Sequence, residues 1–262
     1  MIVQDQMGRR VELKKYPPQK IVSLVPSITE LLAELGLQEC IKGITKFCIH
    51  PKEVYQTCEK IGGTKNLNIE KIQRIQPDLI IGNKEENVKL QIEELAKYFP
   101  VWMSDVNSYT EALQMIHSVG ELTNTSAKAQ SLIQEIEQAF DTLKGTDYLL
   151  KNKRVLYLIW YKPFIAAACH TYIHDILIKI GAINSLTTHT RYVEIRAEVM
   201  QKLDIDYLLL SSEPYPFKES HKTELQDLLG RRTQVLLVDG ELFSWYGVRM
   251  KYLPEYLLRM AE

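Results

Sequence analysis

The chain has little of what would mark a disulfide-stapled, membrane-spanning or polyanion-binding protein. Only four cysteines occur in 262 residues, at Cys40, Cys48, Cys58 and Cys169. None belongs to a C-x-x-C pair, and four are far too few for a disulfide scaffold. Three fall within nineteen residues of one another, but the composition reads as reduced thiols in a chain stabilised by its own core. No apolar run approaches the ~18 residues of a membrane span. Neither sign of charge is in excess: 32 Lys+Arg against 33 Asp+Glu leave a net charge of −1, which offers no electrostatic footprint for nucleic acid or an anionic membrane surface. The start, Met1-Ile2-Val3-Gln4-Asp5, has neither a basic n-region nor an apolar h-region, so no signal peptide is expected in the chain as given. Also missing are a G-x-S-x-G elbow, a G-x-G-x-x-G turn after the first strand, a P-loop and H-E-x-x-H. Their absence disfavours a serine hydrolase, a dinucleotide enzyme, an NTPase and a zinc protease. What is present is ordinary globular material, 45% hydrophobic and 25% charged, long enough for two lobes.

Strand and helix signals alternate along the chain. Lys20-Ile21-Val22-Ser23-Leu24-Val25 reads as a buried strand ended by Pro26. Ser27-x-x-Glu30 then reads as a capping box opening a helix that Gly36 stops. A short strand is expected over 41–45, a helix capped by Asn68 and ended by Pro77, a strand over 78–82, a helix near 86–98 and a strand over 101–104. Ser108-x-x-Glu111 is a second capping box, and from there to about residue 144 the pattern is helical, with one weak point at Asn124-Thr125-Ser126. Residues 132, 133, 136, 139, 140 and 143 form one apolar stripe on a long helix. A fresh strand begins at Arg154 and runs to Trp160.

The second half echoes the first. Residues 70–81 align without a gap on residues 198–209, an offset of 128, with Asp78 matched by Asp206. Both halves also begin with a basic residue and an apolar strand, at Lys20 and Arg154. The expected architecture is therefore α/β: two related Rossmann-like, three-layer lobes joined by a long helical linker. The boundaries are 1–108 for the first lobe, 109–150 for the helical segment and 151–262 for the second lobe. Open α/β sheets bind ligands outside the carboxyl ends of their strands. Two such lobes facing one another predict a cleft there, largely pre-formed because a helical linker is stiff.

The residues that follow the strands make up the candidate site. Phe47, Trp160, Tyr161, Phe164, Tyr215, Trp245 and Tyr246 offer apolar faces, and Ser27, Thr64, Asn83 and Arg249 offer polar contacts. Rings beside a few polar groups suit a large, partly apolar ligand; as single residues, the rings read equally as loop-edge core. Ser27 lies at a helix N-terminus that could receive an anionic group. Arg249 suits a carboxylate or phosphate through a bidentate pair, or else pairs internally with Asp239 or Glu241. Trp245→Ala is expected to weaken ligand binding and leave the fold intact.

The segments KIVSLVPSITELLAELGL, IGGTKNLNIEKIQRIQPDLIIGN and SWYGVR resemble the helical-backbone, class III substrate-binding proteins of ABC importers. The resemblance runs over nearly the whole chain, from Asp5 to the final helix. It implies two three-layer α/β lobes bridged by one long helix. It also implies a monomer without catalytic residues that needs no cofactor and takes cobalamin, a ferric siderophore or haem as its small-molecule ligand for an ABC permease. It further implies that an acidic residue of each lobe docks on the permease, for which Glu85 or Glu86 and Glu213 are placed; the other reading is solvated surface charge. Val248 stands where proline is common in similar proteins, and the loops after Gly63 and Gly82 offer Thr64 and Asn83 rather than aromatic residues. The family implies a periplasmic or cell-surface location, whereas Met1 as a native start implies a cytoplasmic one.

A different class of function rests on metal ligands. Cys48-x-His50 puts two good ligands on one loop, and His170 and His174 stand at i,i+4. A zinc site needs three or four protein ligands, so this alternative is a cytosolic metal-binding protein or metal-dependent enzyme that uses Cys48 and His50, joined by His170 or His174 if the lobes bring them together. Thr171 as an N-cap would place His174 at N3 and spoil the i,i+4 alignment.

Overall fold

The computed structural model describes residues 1–260. They form two compact units, one of residues 1–106 and 111–134, the other of residues 107–110 and the chain from 135 onward. The helical segment is thus shared out between the units. Among the described residues no helix is long and apolar enough to cross a membrane.

The first unit opens with the hairpin β1 (Ile2–Gln4) and β2 (Arg10–Glu12). It continues through β3 (Ile21–Ser23), α1 (Pro26–Glu34), β4 (Ile41–Ile44), α2 (Lys52–Thr57), β5 (Glu59–Lys60), the small hairpin β6 (Gly62–Gly63) and β7 (Asn66–Leu67), α3 (Ile69–Ile75), β8 (Leu79–Asn83), α4 (Lys89–Ala96) and β9 (Val101–Ser104). Helices α5 (Tyr109–Thr123) and α6 (Ser126–Asp141) follow. Five parallel strands stand in the order β5-β4-β3-β8-β9. Every residue of β8 and β9 is buried, as expected of a parallel sheet covered on both faces. The chain runs outward from β3 in one direction and then resumes on its other side at β8. The topological switch therefore lies between β3 and β8.

Two details differ from the sequence reading. The Ser27-x-x-Glu30 box does not form: Pro26 takes the first helical position, where its missing N–H costs nothing, and Val25 becomes the N-cap, with no side-chain cap bond. Helix α4 starts three residues later than expected because the preceding residues are tied down by Asn83 and Asn87. Two other local signals hold. Asn68 caps α3 by accepting the Lys71 N–H at 3.0 Å. Asn124, at φ 59°, breaks α5 from α6.

The second unit runs through β10 (Arg154–Trp160), β11 (Ile165–Ala167), α7 (Tyr172–Lys179), β12 (Ile183–Asn184), β13 (Tyr192–Glu194), α8 (Ala197–Met200), β14 (Tyr207–Ser211), α9 (Glu219–Leu229), β15 (Gln234–Val238) and α10 (Gly240–Ser244). A 3-10 turn at Val248–Lys251 leads to α11 (Leu253–Arg259). The sheet order is β13-β11-β10-β14-β15, with β12 beside the start of β10. β10, β14 and β15 are parallel, whereas β11 and β13 add antiparallel. The pair β10 and β14 corresponds to β3 and β8, but the antiparallel extension has no counterpart in the first unit.

The sequence repeat has a physical basis. Asp78 Oδ2 accepts the N–H of Lys20 at 2.9 Å, and the Asp78 N–H donates to the Lys20 carbonyl at 2.8 Å. Asp206 Oδ2 accepts the N–H of Arg154 at 2.7 Å, and its own N–H donates to the Arg154 carbonyl at 2.8 Å. Each aspartate thus fixes the register of its strand against the first long strand of its unit. The Arg154 amide, followed by its guanidinium, holds the Asp206 carboxyl below the usual carboxylate range. A group whose value is depressed on folding stabilises the fold above its unfolded value, about pH 4, and loses that contribution as pH falls through the folded value. Asp206→Asn should therefore shrink the drop in urea midpoint between pH 5 and pH 2.5. An equal drop in both proteins would contradict this.

Candidate functional site

In the first unit, the residues at the carboxyl ends of β3 and β8 are organised by Asn87, which the sequence reading did not single out. Its Oδ1 accepts the Asn83 N–H at 2.8 Å, and its Nδ2 donates to the carbonyls of Leu24 and Thr64 at 3.4 and 3.2 Å. One side chain thereby pins three loops at the switch point. Gly82 makes room for it, since a Cβ there would lie 2.6 Å from Asn87 Oδ1 and 2.8 Å from Met103 Sδ.

Asn83 is itself committed to the scaffold. Its Nδ2 donates to the Ser104 carbonyl and hydroxyl at 3.2 and 3.0 Å, and its Oδ1 accepts the Glu85 and Glu86 N–H groups at 2.8 and 3.1 Å. Its amide supports the loop, and no group of it is left for a ligand without breaking one of these bonds. Ser27 and Thr64 are buried, and Phe47 stands out at 51% exposure. The Lys46 ammonium lies 5.1 Å from the Phe47 ring centroid. Of the carboxylates considered for docking, Glu85 is half-buried and Glu86 exposed.

In the second unit, most of the rings expected at the site do come together. Tyr161 packs against Phe164, Tyr215 and Phe217 at centroid distances of 5.5, 5.6 and 6.2 Å. Trp160 meets Tyr215 edge-on at 5.7 Å. Phe217 belongs to the core of this unit, and Tyr161, Phe164 and Tyr215 pack on that core. Trp160, at the end of β10, keeps 40% of its surface exposed. The result is a platform: a half-buried aromatic base, anchored on the buried Phe217, carrying one accessible indole.

The turn at 244–249 is built differently from the expectation. Trp245 and Tyr246 are 9% and 8% exposed. The Trp245 indole N–H donates to Glu213 Oε1 at 2.8 Å, and the Ser244 hydroxyl donates to the same oxygen. Arg249 lies 4.7 Å over the Trp245 ring and pairs with Glu241, one of the two internal partners considered, at 2.5 Å. Removing so buried an indole would leave a cavity costing on the order of 3–5 kcal/mol, which corrects the expectation that Trp245→Ala spares the fold. Glu213 is correspondingly turned inward, as the acceptor that seats this turn rather than a solvated surface charge. Behind it, the buried Tyr157 hydroxyl donates to Ser211 Oγ at 3.1 Å, tying β10 to β14. Burial raises the Tyr157 phenol far above its usual range.

The four metal-ligand candidates do not assemble. Among the described residues no group of three or more His, Cys, Asp or Glu side chains could hold a metal ion. Cys48 is wholly buried, 3.1 Å from the Thr45 hydroxyl, and burial pushes its thiol up, which disfavours the thiolate a metal needs. His50 lies on the same loop, half-buried. Thr171 caps α7 by accepting the His174 N–H at 3.2 Å. His170, at φ 60°, lies outside the helix, so the i,i+4 alignment is lost.

The chain's resemblances agree with this architecture. The family model described as periplasmic binding protein matches residues 21–234. An uncharacterized ABC transporter substrate-binding lipoprotein of Bacillus subtilis (strain 168) is 27% identical over 79% of this chain and 68% of its own length. A vitamin B12-binding protein of Vibrio parahaemolyticus is 24% identical over 58% of this chain, and the match spans little more than half, 55%, of that relative. A crystal structure described as a possible iron-binding (periplasmic solute-binding) protein from Staphylococcus epidermidis superposes with a TM-score of 0.78 at 24% identity, covering 93% of this chain and 98% of the other. At that identity the likeness speaks for the fold alone.

Proposed function

This chain belongs to the periplasmic binding protein family, and from that premise we propose that it is a substrate-binding protein that captures a bulky metal chelate and passes it to an ABC permease. The ligand class is a corrinoid, a ferric siderophore or haem. Two of the relatives are named for vitamin B12 and for possible iron binding, and such ligands share a broad, partly apolar face with polar rim groups.

The observation that carries this reading is the aromatic platform of the second unit. An indole with 40% of its surface exposed at the end of a central strand, backed by rings that cannot move without disturbing the core, suits stacking against a flat ligand. Phe47, in the loop after β4, is an exposed ring of the first unit. Glu85 and Glu86 are the carboxylates proposed for permease docking; Glu213 is not, because it already seats Ser244 and Trp245. No chemistry is assigned to the protein.

A thermal-shift series tests the reading. Anything that binds only the folded state stabilises it by RT ln(1 + [L]/Kd), about 2.7 kcal/mol at a hundredfold excess over Kd. Cyanocobalamin, haemin or a ferric hydroxamate siderophore should raise the melting temperature by several degrees, and free phenylalanine should not. No shift with any of the three would contradict the reading.

A further inference from the structure

His221 does work in the second unit that no part of the ligand-capture reading uses. It sits in the first turn of α9 and is half-buried. Its ring lies 4.6 Å from Tyr161, 5.4 Å from Tyr215 and 5.7 Å from Phe217. Its Nδ1 accepts the backbone N–H of Lys218 at 2.9 Å, closing the start of α9. Its Nε2 lies 3.1 Å from the Tyr215 hydroxyl. With Nδ1 accepting, the neutral form of the ring carries its proton on Nε2, where it donates to the Tyr215 hydroxyl. One imidazole therefore joins the α9 cap to the ring against which Trp160 stands.

We propose that His221 is the positioning residue of the aromatic platform: its neutral imidazole fixes Tyr215 and Tyr161, and through them the exposed Trp160, so that the platform is set at neutral pH and loosened by acid. This rests on the ligand-capture reading for its purpose, though not for its geometry. Protonation puts a proton on Nδ1, which then faces the Lys218 N–H donor to donor. The cap is lost and α9 must shift relative to the ring stack.

The charged and titratable groups around His221 pull in both directions. Glu224, one turn on along α9, favours the imidazolium, but its carboxylate is already engaged by the Tyr161 hydroxyl at 2.5 Å and the Lys162 ammonium at 3.1 Å. Both of those come from the loop after β10, and they hold Glu224 below the usual carboxylate range. Lys162, Lys218 and Lys222 oppose a further positive charge. From the loop after β14, the facing titratable group is the Tyr215 phenol, 3.1 Å from Nε2.

The test uses the full-length, ligand-free protein labelled at its indole nitrogens, with the Trp160 resonance assigned through Trp160→Phe. Between pH 8 and pH 5 the Trp160 indole resonance should move along a single titration curve. In His221→Gln, which keeps an acceptor for the Lys218 N–H but cannot titrate, that movement should vanish. In His221→Phe, which keeps a ring and loses both bonds, the resonance should stay near the acid-limit position of the natural protein at every pH. A Trp160 resonance that ignores pH, or that titrates equally in His221→Gln, overturns the proposal, as does a His221→Phe resonance at the neutral-limit position. In parallel, the affinity for whichever of cyanocobalamin, haemin or a ferric hydroxamate siderophore binds at pH 7.5 should fall about tenfold by pH 5.5, and should not in His221→Gln. If none of the three binds at pH 7.5, the ligand reading fails, and the resonance measurement still decides the role of His221.

Discussion

Replacing Trp160 with alanine should weaken chelate binding by up to about seventyfold. The ring exposes 40% of its surface at the end of β10. For a side chain that can bury up to ~250 Å², that leaves about 100 Å² for a ligand to cover. At ~25 cal/mol per Å² the contact is worth about 2.5 kcal/mol, before the costs of association reduce it. Trp160→Phe should recover part of the loss, because a smaller ring still rests edge-on against Tyr215. The other ~150 Å² is packed against neighbours such as Tyr215, so Trp160→Ala should also cost stability, up to about 4 kcal/mol at the same ~25 cal/mol per Å², and Trp160→Phe less. Calorimetric titration of both variants, with a urea midpoint for each, checks the claim. An unchanged dissociation constant for Trp160→Ala would remove the platform from the ligand site.

Asp5→Ala should destabilise the protein by about 3 kcal/mol without touching the proposed site. The Asp5 side chain is completely shielded from solvent and pairs with Arg9 at 2.7 Å. It accepts the N–H groups of Met7 and Arg9 at 3.1 and 2.8 Å, the Arg9 Nε–H at 2.8 Å and the Met103 N–H at 3.3 Å. This one carboxylate closes the β1–β2 turn and fastens it to β9. Its removal orphans the buried Met103 N–H, at about 1–3 kcal/mol, strips the part-buried Met7 and Arg9 donors of their acceptor, and leaves the Arg9 guanidinium only the Val101 carbonyl. Asp5→Asn should be nearly as damaging, because an amide nitrogen must face an N–H donor. A urea midpoint within 0.3 M of the natural protein would show that the hairpin contributes little to the unit.

Local chemistry explains what could be read from the sequence. The strands Val101–Ser104 and Arg154–Trp160 lie where the apolar runs put them, because a buried parallel strand needs an unbroken run. Asn68 and Thr171 cap their helices, and Asn124 interrupts the long helical pattern. The repeat was legible because Asp78 and Asp206 make the same bonds to the same position of a neighbouring strand. What could not be read depends on long-range partners. Nothing local distinguishes Asn83, whose partner Ser104 is twenty-one residues away, from an asparagine free for a ligand. In the sequence Trp245 reads as a ring for a ligand and Glu213 as a docking or solvated charge, yet the two satisfy each other across thirty-two residues. Asn87 and His221 carried no signal beyond being polar residues near a helix start. The antiparallel strands β11 and β13 are three residues each, too short for an alternating pattern to declare itself.

If the ring platform belongs to a binding protein for a bulky metal chelate, the free protein must bind one in solution. Isothermal titration calorimetry of the purified, ligand-free protein with cyanocobalamin, haemin and a ferric hydroxamate siderophore tests it most directly. At least one of them should bind saturably and one-to-one at micromolar affinity or tighter, about −8 kcal/mol or better, with the heat strongly reduced in Trp160→Ala. Absence of heat from all three, with the protein shown to be folded, would contradict it.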